Sequence, residues 1–398
     1  MADKPYFFTW TAQKNAASMP VKRAHDSVFV LDDGREIVDF VSTSYQTGFG
    51  HSERRILDSI RAQMDEMCVV TPKAEFALKD TQSRRLLDLL NLGGGRIFYT
   101  VSGAESVENA LKIARDVTGK KIVLARRNSY HGASLGALSV TGDWRNQAHA
   151  AIVSDWTVRI PEPSEDPDCK KTREIIRSTG PDKIAAFILE TITAANGVIL
   201  APLGWWDAIQ ALCREFGILL ICDEVADGFG RTGRPFAYQH YGLKPDMVCM
   251  AKAISGGYIP FGAVWTSDRL AAHYDEKTLV AGLTSYGHPL GLAALRGVLD
   301  IWDDPAFQKT YAENCKRFGA RVKALEKLPA VKATRVMGLF AGINTRNADM
   351  PSTNPRFLAE GLFVFMKGDL LVLAPPLNIE PALLDRCMDG VERILSKL

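Results

Sequence analysis

Residues 217–225 read GILLICDEV, five consecutive apolar side chains closed by an acid pair. An apolar run of this kind is what a strand buried on both faces requires. Asp223 at its end then needs a cationic or hydrogen-bonding partner, because a carboxylate in such surroundings is otherwise costly. Working outward, RIFYTV (96–101), KIVLA (121–125), KIAAFILE (183–190) and DMVCMA (246–251) alternate with helical patterns. That alternation predicts a mainly parallel sheet covered by helices. The helix after the first run is well marked: Val107, Ala110, Leu111 and Ala114 share one face, and Ser102 with Glu105 forms a capping-box pattern.

Beyond this block the pattern changes. Residues 25–42 (HDSVFVLDDGREIVDFVS) read as a hairpin turning at Asp32-Asp33-Gly34, and residues 328–398 mix strands with helices. The expected fold class is therefore α/β, with a large, mainly parallel domain over 51–290. A smaller α+β domain would be formed by the two chain ends, 1–50 and 291–398. Residues 161–171, PEPSEDPDCKK, carry three prolines and read as a surface loop.

Composition narrows the function. The 398 residues are 46% hydrophobic and 24% charged, which is ordinary for a folded chain and not for a disordered or coiled-coil one. Lys plus Arg number 48 against 46 Asp plus Glu, with no basic block, so nucleic acid is a poor partner. No run approaches the roughly 18–20 apolar residues of a membrane helix, and MADKPYFFTW lacks the apolar centre of a secretory signal. A cytoplasmic protein is expected. Cysteines 68, 169, 213, 222, 249, 315 and 387 are scattered without a CxxC pair, suggesting neither a disulfide framework nor a metal site.

Ligands of open parallel sheets bind beyond the carboxyl ends of the strands. There the runs lead to Ser102-Gly103-Ala104, to Ser129-Tyr130-His131-Gly132, to Glu190, to Asp223-Glu224-Val225 and to Lys252. Gly103 and Ala104 at a helix start offer free N–H groups suited to a phosphate, although small residues there also serve plain packing. Lys252, following an apolar run, can have its pKa lowered by desolvation and so suit Schiff-base chemistry; the plain alternative is a salt bridge to an acid such as Glu224. Two literal motif matches fail on context. Residues 228–233 (GFGRTG) match G-x-G-x-x-G but lead into Arg-Pro-Phe rather than a helix. Residues 132–136 (GASLG) match the serine-hydrolase elbow, yet Ser134 does not directly follow a strand.

Five spaced blocks, SGAESVENALKIAR (102–115), SYHGASLGALSVTGD (129–143), ICDEVADGFGRTG (221–233), AKAISGGYIPFGAV (251–264) and LTSYGHPLGLAAL (283–295), together resemble the class III pyridoxal-phosphate aminotransferases. FFTWTAQ (7–13) and GLFVFMKGDLLVLAPPLNI (361–379) are similar to its taurine:pyruvate and omega-amino-acid:pyruvate branch. The resemblance spans residues 7–395 and implies the fold-type-I transferase fold. It also implies that Lys252 forms a Schiff base with pyridoxal 5'-phosphate and moves a proton, while Asp223 pairs with the pyridinium nitrogen. By the same resemblance Ser102, Gly103 and Ala104 lie at the phosphate, and Tyr130 and Val225 hold the ring between them. Glu190 and His131 stand near the cofactor. Thr284 reaches the phosphate of a neighbouring subunit, which implies a homodimer.

One departure stands out. Where many omega-aminotransferases resemble one another in carrying a mobile arginine for the substrate carboxylate, this chain has Phe365. Lys367 is the nearest cation and, by strand alternation, points to the same face. Trp10 and Tyr45 lie in segments that approach the substrate in the resembling family. Glu224 or Arg231 is read as a member of a structural ion pair. The expected reaction is a ping-pong transfer from a primary amine or omega-amino acid, of the taurine or β-alanine type, to a keto acid, pyruvate. The rivals are an aminomutase or decarboxylase of the same fold, a serine hydrolase using Ser134, and a cofactor-free binding protein.

Overall fold

A computed structural model describes residues 4–16, 18–153 and 155–398. Near the start, β1 (Val21–His25), β2 (Val28–Leu31) and β3 (Glu36–Asp39) run antiparallel in sequence. The expected hairpin is β2–β3, turning at Gly34 with a φ of +87° that only glycine adopts without strain.

After β3 the chain makes an unusual turn. Ser42, Thr43, Ser44 and Tyr45 have φ of 47°, 45°, 60° and 74°, a left-handed helical turn without a glycine. Each such residue costs about 1–2 kcal/mol, so the turn persists only because its surroundings hold it.

The central sheet comprises β4 (Arg96–Thr100), β5 (Ile122–Arg126), β6 (Thr157–Ile160), β7 (Ile184–Glu190), β8 (Leu219–Asp223), β9 (Met247–Met250) and β10 (Gly262–Thr266). Their spatial order is β4-β10-β9-β8-β7-β5-β6. Strands β5 to β9 are mutually parallel, and β10 runs antiparallel to both β9 and β4. Every residue of β7 and β8 is buried, which is why their sequences show apolar runs rather than alternation. Strand β6 at the sheet edge is only partly buried, so no such run marked it. The helix Gly103–Thr118 buries Val107, Ala110, Leu111 and Ala114 against the sheet. Ser102 Oγ accepts from the Glu105 N–H, while the Glu105 carboxylate accepts from the Val101 N–H, one residue earlier than in a standard capping box.

Toward the end come β11 (Val331–Met337), β12 (Phe340–Thr345), β13 (Leu362–Phe363), β14 (Phe365–Lys367) and β15 (Leu370–Leu373). Strands β11, β12, β15 and β14 form an antiparallel sheet, whereas β13 pairs in parallel with β3, joining the two ends of the chain. The architecture is α/β with a mainly parallel central sheet, as expected.

Two local readings are refined. Residues 161–169 are irregular, but Glu162 and Asp166 are buried rather than solvated. Asp166 accepts from the Lys171 and Thr172 N–H groups and from the Thr172 hydroxyl, capping the helix Lys170–Thr179. GFGRTG forms no phosphate turn; a side chain at Gly230 would meet the Trp302 ring. Among the described residues, no helix is long and apolar enough to cross a membrane.

Candidate active site

A cavity of about 440 Å³ opens beyond the carboxyl ends of β7, β8 and β9. Ser102, Gly103 and Ala104 line one end of it, at the start of the helix Gly103–Thr118. Tyr130, His131, Glu190, Asp223, Val225, Lys252 and Tyr45 complete the expected residues found in its wall. Strand register makes this convergence a consequence of the sheet: Glu190 and Asp223 end adjacent strands as direct partners, and Lys252 follows β9 on the other side of Asp223.

The acids are held in different ways. Asp223 Oδ2 lies 2.7 Å from His131 Nδ1, and Oδ1 accepts from the Val225 N–H at 3.1 Å. Glu190 accepts from the Tyr130 N–H at 3.1 Å and from the Ala194 N–H at 3.2 Å. Burial pushes the Glu190 carboxyl upward, against the opposing pull of His131 and Arg126. Lys252 has a left-handed φ of 51°. Its amine is pushed below the usual lysine range by desolvation, with Asp223, Glu190 and Asp227 pulling the other way.

The salt bridge to Glu224 considered for Lys252 does not form. Glu224 is fully buried and accepts from the Thr191 hydroxyl and from the Ala237 and Tyr238 N–H groups. Its oxygens are taken by Thr191 and by the loop that follows it, so it belongs to the scaffold. Among the described residues Arg231 makes no ion pair either: it donates to the carbonyls of Leu339 and Pro375 and to Ser42 Oγ. The expected ion pair in this motif is thus replaced by hydrogen bonds to neutral groups.

Beside Tyr130 the structure adds a group that sequence reasoning missed. The Arg145 guanidinium lies 4.5 Å from the centre of the Tyr130 ring, 4.7 Å from Trp10 and 5.1 Å from Trp144. One of its nitrogens pairs with Asp143, while Nε is buried without a hydrogen-bond partner among the described residues. The only sequence signal was a charged-aromatic triplet, Asp143-Trp144-Arg145, at the end of the block that carries Tyr130. Trp10 thereby sits near the site but is half exposed at its rim.

Phe365, Lys367 and Thr284 are not among the residues that line the cavity. Phe365 packs beside the buried group that includes Tyr45 and Phe340. Lys367 donates to Asn196 Oδ1 at 3.1 Å, and burial lowers its pKa while Asp143 opposes the shift. Thr284 is exposed on its own chain. Ser134 lies on the cavity rim at the start of the helix Leu135–Val140, separated from β5 by residues 127–133. The strand-turn-helix elbow that a serine nucleophile needs is absent there.

The family model described as Aminotransferase class-III matches residues 10–395. The chain is 30% identical to a diaminobutyrate–2-oxoglutarate transaminase of Halomonas elongata, over 92% of this chain and 87% of that one. It is also 30% identical to a taurine–pyruvate aminotransferase of Bilophila wadsworthia, over 86% and 80% of the two chains. Among solved structures, a taurine:2-oxoglutarate aminotransferase from Bifidobacterium kashiwanohense, in complex with PLP and glutamate, matches with a TM-score of 0.94 and 31% identity. That match covers 98% of this chain and 95% of that one. A cavity at the carboxyl ends of a parallel sheet, with a lysine and a paired acid in it, is thus accompanied by similarity along nearly the whole chain: it belongs to the class III aminotransferases, enzymes that depend on pyridoxal phosphate.

Proposed function

We propose that this enzyme moves an amino group from a primary amine or omega-amino acid, of the taurine or β-alanine type, to a keto acid, pyruvate, in two half-reactions. Bound pyridoxal phosphate supplies the electron sink that stabilises negative charge on the substrate carbon. The residues present fit that group. A Cβ on Gly103 would stand 2.8 Å from Val225 Cγ1, so only glycine leaves the helix N-terminus open while Val225 stays in place. The Gly103 and Ala104 N–H groups then receive the phosphate, aided by the helix dipole. Asp223 would hold positive charge at the pyridine nitrogen, with His131 fixing the orientation of its carboxylate. Tyr130 and Val225, both in the cavity wall, would hold the ring between them. Lys252 would hold the cofactor through Nζ and could carry a proton there; desolvation, which lowers the pKa of its amine, suits it to both tasks. Thr284 serves the phosphate of the neighbouring subunit in a homodimer.

The observation that carries the donor class is Arg145. A guanidinium 4.5 Å from the centre of the Tyr130 ring, with its Nε unpaired among the described residues, supports a role for Arg145 in receiving the acidic end of an omega-amino acid, whether carboxylate or sulfonate. Phe365 offers no charge, and Lys367 is engaged with Asn196. The test is the visible spectrum of the cofactor-loaded protein mixed separately with taurine, β-alanine, a diamine and an aromatic amine, followed by pyruvate or 2-oxoglutarate. Loss of the visible band with taurine or β-alanine and its return with pyruvate is the expected result. Loss with the aromatic amine alone, or return only with 2-oxoglutarate, replaces the donor or acceptor accordingly. A band that no donor removes points to the aminomutase or decarboxylase rivals.

A further inference from the structure

The left-handed turn Ser42–Tyr45 is held from both ends by buried charged groups. Asp39, the last residue of β3 and 0% exposed, accepts from the Thr43 N–H at 2.9 Å and the Thr43 hydroxyl at 2.7 Å. Its Oδ2 also accepts from the Thr47 hydroxyl at 3.2 Å and lies 3.1 Å from His51 Nε2. At the other end, Ser42 Oγ donates to the Ala374 carbonyl at 2.6 Å and accepts from Arg231 Nη2 at 3.1 Å. Arg231 Nη1 also donates to the Leu339 and Pro375 carbonyls, so one buried guanidinium ties the residue before β12, the segment after β15 and the turn together.

The product of this arrangement is the place of one ring. Tyr45 closes the turn, is 5% exposed, packs 5.1 Å from the Phe340 ring and puts its own ring centre 5.2 Å from Lys252 Nζ. A right-handed turn in the same four residues would carry the Tyr45 side chain in another direction. No glycine relieves the strain, so the hydrogen bonds of Asp39 and Ser42 are what keep the turn in this form.

We propose that Asp39 and Arg231 are positioning residues for Lys252: acting through Thr43 and Ser42, they hold the left-handed turn that keeps the Tyr45 ring against the lysine Nζ on the donor side of the cavity. The inference rests on the reading of Lys252 given above. The ring face favours positive charge on that nitrogen, and it blocks one side of the space in which the nitrogen moves.

The test uses Thr43→Val in the cofactor-loaded enzyme, a change that keeps the shape of the side chain and adds no charge. Lys252 also faces Asp223, Glu190, Asp227 and Arg231, and none of these is altered by it. The pH midpoint of the visible cofactor absorption is expected to fall by about half a unit, the size of one cation–π contact. Donor kcat/KM is expected to fall about tenfold as the ring shifts, with cofactor affinity held within about twofold. Thr43→Ser, which keeps the hydroxyl, restores both values. Ser42→Ala gives the same pair of changes from the other end, and serves if Thr43→Val does not fold. In a Tyr45→Leu background, Thr43→Val is expected to have no further effect, because the turn acts through that ring. An unmoved midpoint, or an undiminished loss in the Tyr45→Leu background, overturns the proposal. The titration needs no amine donor, so a wrong donor class leaves it intact, whereas a wild-type protein without cofactor absorption would sink the reading of Lys252 itself.

Discussion

Asp223 Oδ2 and His131 Nδ1 stand 2.7 Å apart with both side chains buried. The two residues are 92 positions apart in sequence, and their contact turns a strand-end carboxylate into one of fixed orientation beside the cavity. Asp223→Asn removes the charge and leaves the shape. Steady-state kinetics should show kcat/KM lowered by about a hundredfold, with His131→Asn costing about tenfold because the carboxylate remains but is less well held. Equal losses in the two variants would mean that the histidine acts on the substrate directly.

Lys252→Ala should abolish both turnover and the cofactor that borohydride fixes to the chain. Mass spectrometry of the reduced protein checks the second point independently of the donor. Since burial lowers the lysine pKa, the wild-type chain should capture pyridoxal phosphate at a lower pH than a free lysine does.

Arg145→Met keeps much of the side-chain bulk over Tyr130 and removes the charge. KM for taurine or β-alanine should rise about 10- to 100-fold, while an aromatic amine without an acidic group should change by no more than about threefold. A parallel rise for both donors would assign Arg145 to holding the Tyr130 ring instead.

Glu224 makes stability depend on pH. Burial raises its folded-state pKa from 4.5 to about 7, so between those values the folded chain holds a proton that the unfolded chain has released. The stabilisation is complete below about pH 4.5 and is lost as the pH rises toward 7. Buried Asp227, raised by burial and by Glu224 itself, contributes in the same direction. Denaturant titrations across this window should therefore show a falling contribution, and Glu224→Gln should flatten its slope even though it lowers stability overall.

Much of the site is legible in the sequence. The runs ending at Glu190, Asp223 and Ala251 are apolar because both sheet faces are covered, and a polar residue directly after such a run has only the strand-end crevice to occupy. Edge strand β6 left no such mark, since its residues are only partly buried. Glu224 and Arg231 stood in a recognised block, but their neighbours there do not reveal that the first caps a later loop and the second binds carbonyls far along the chain.

The sequence by itself determined the α/β class, the family resemblance and the convergence of Lys252, Asp223, Glu190 and the Gly103 turn. These follow from burial period and strand order, properties that local residue types express. Only the tertiary structure decided that Arg145 stacks on Tyr130, that Arg231 bonds neutral groups, and that Ser42–Tyr45 winds left-handed. Each of these depends on contacts between distant segments, such as Ser42 with Ala374. Without a glycine to mark it, the hand of the turn is set by the bonds that Ser42 and Thr43 make to groups outside it.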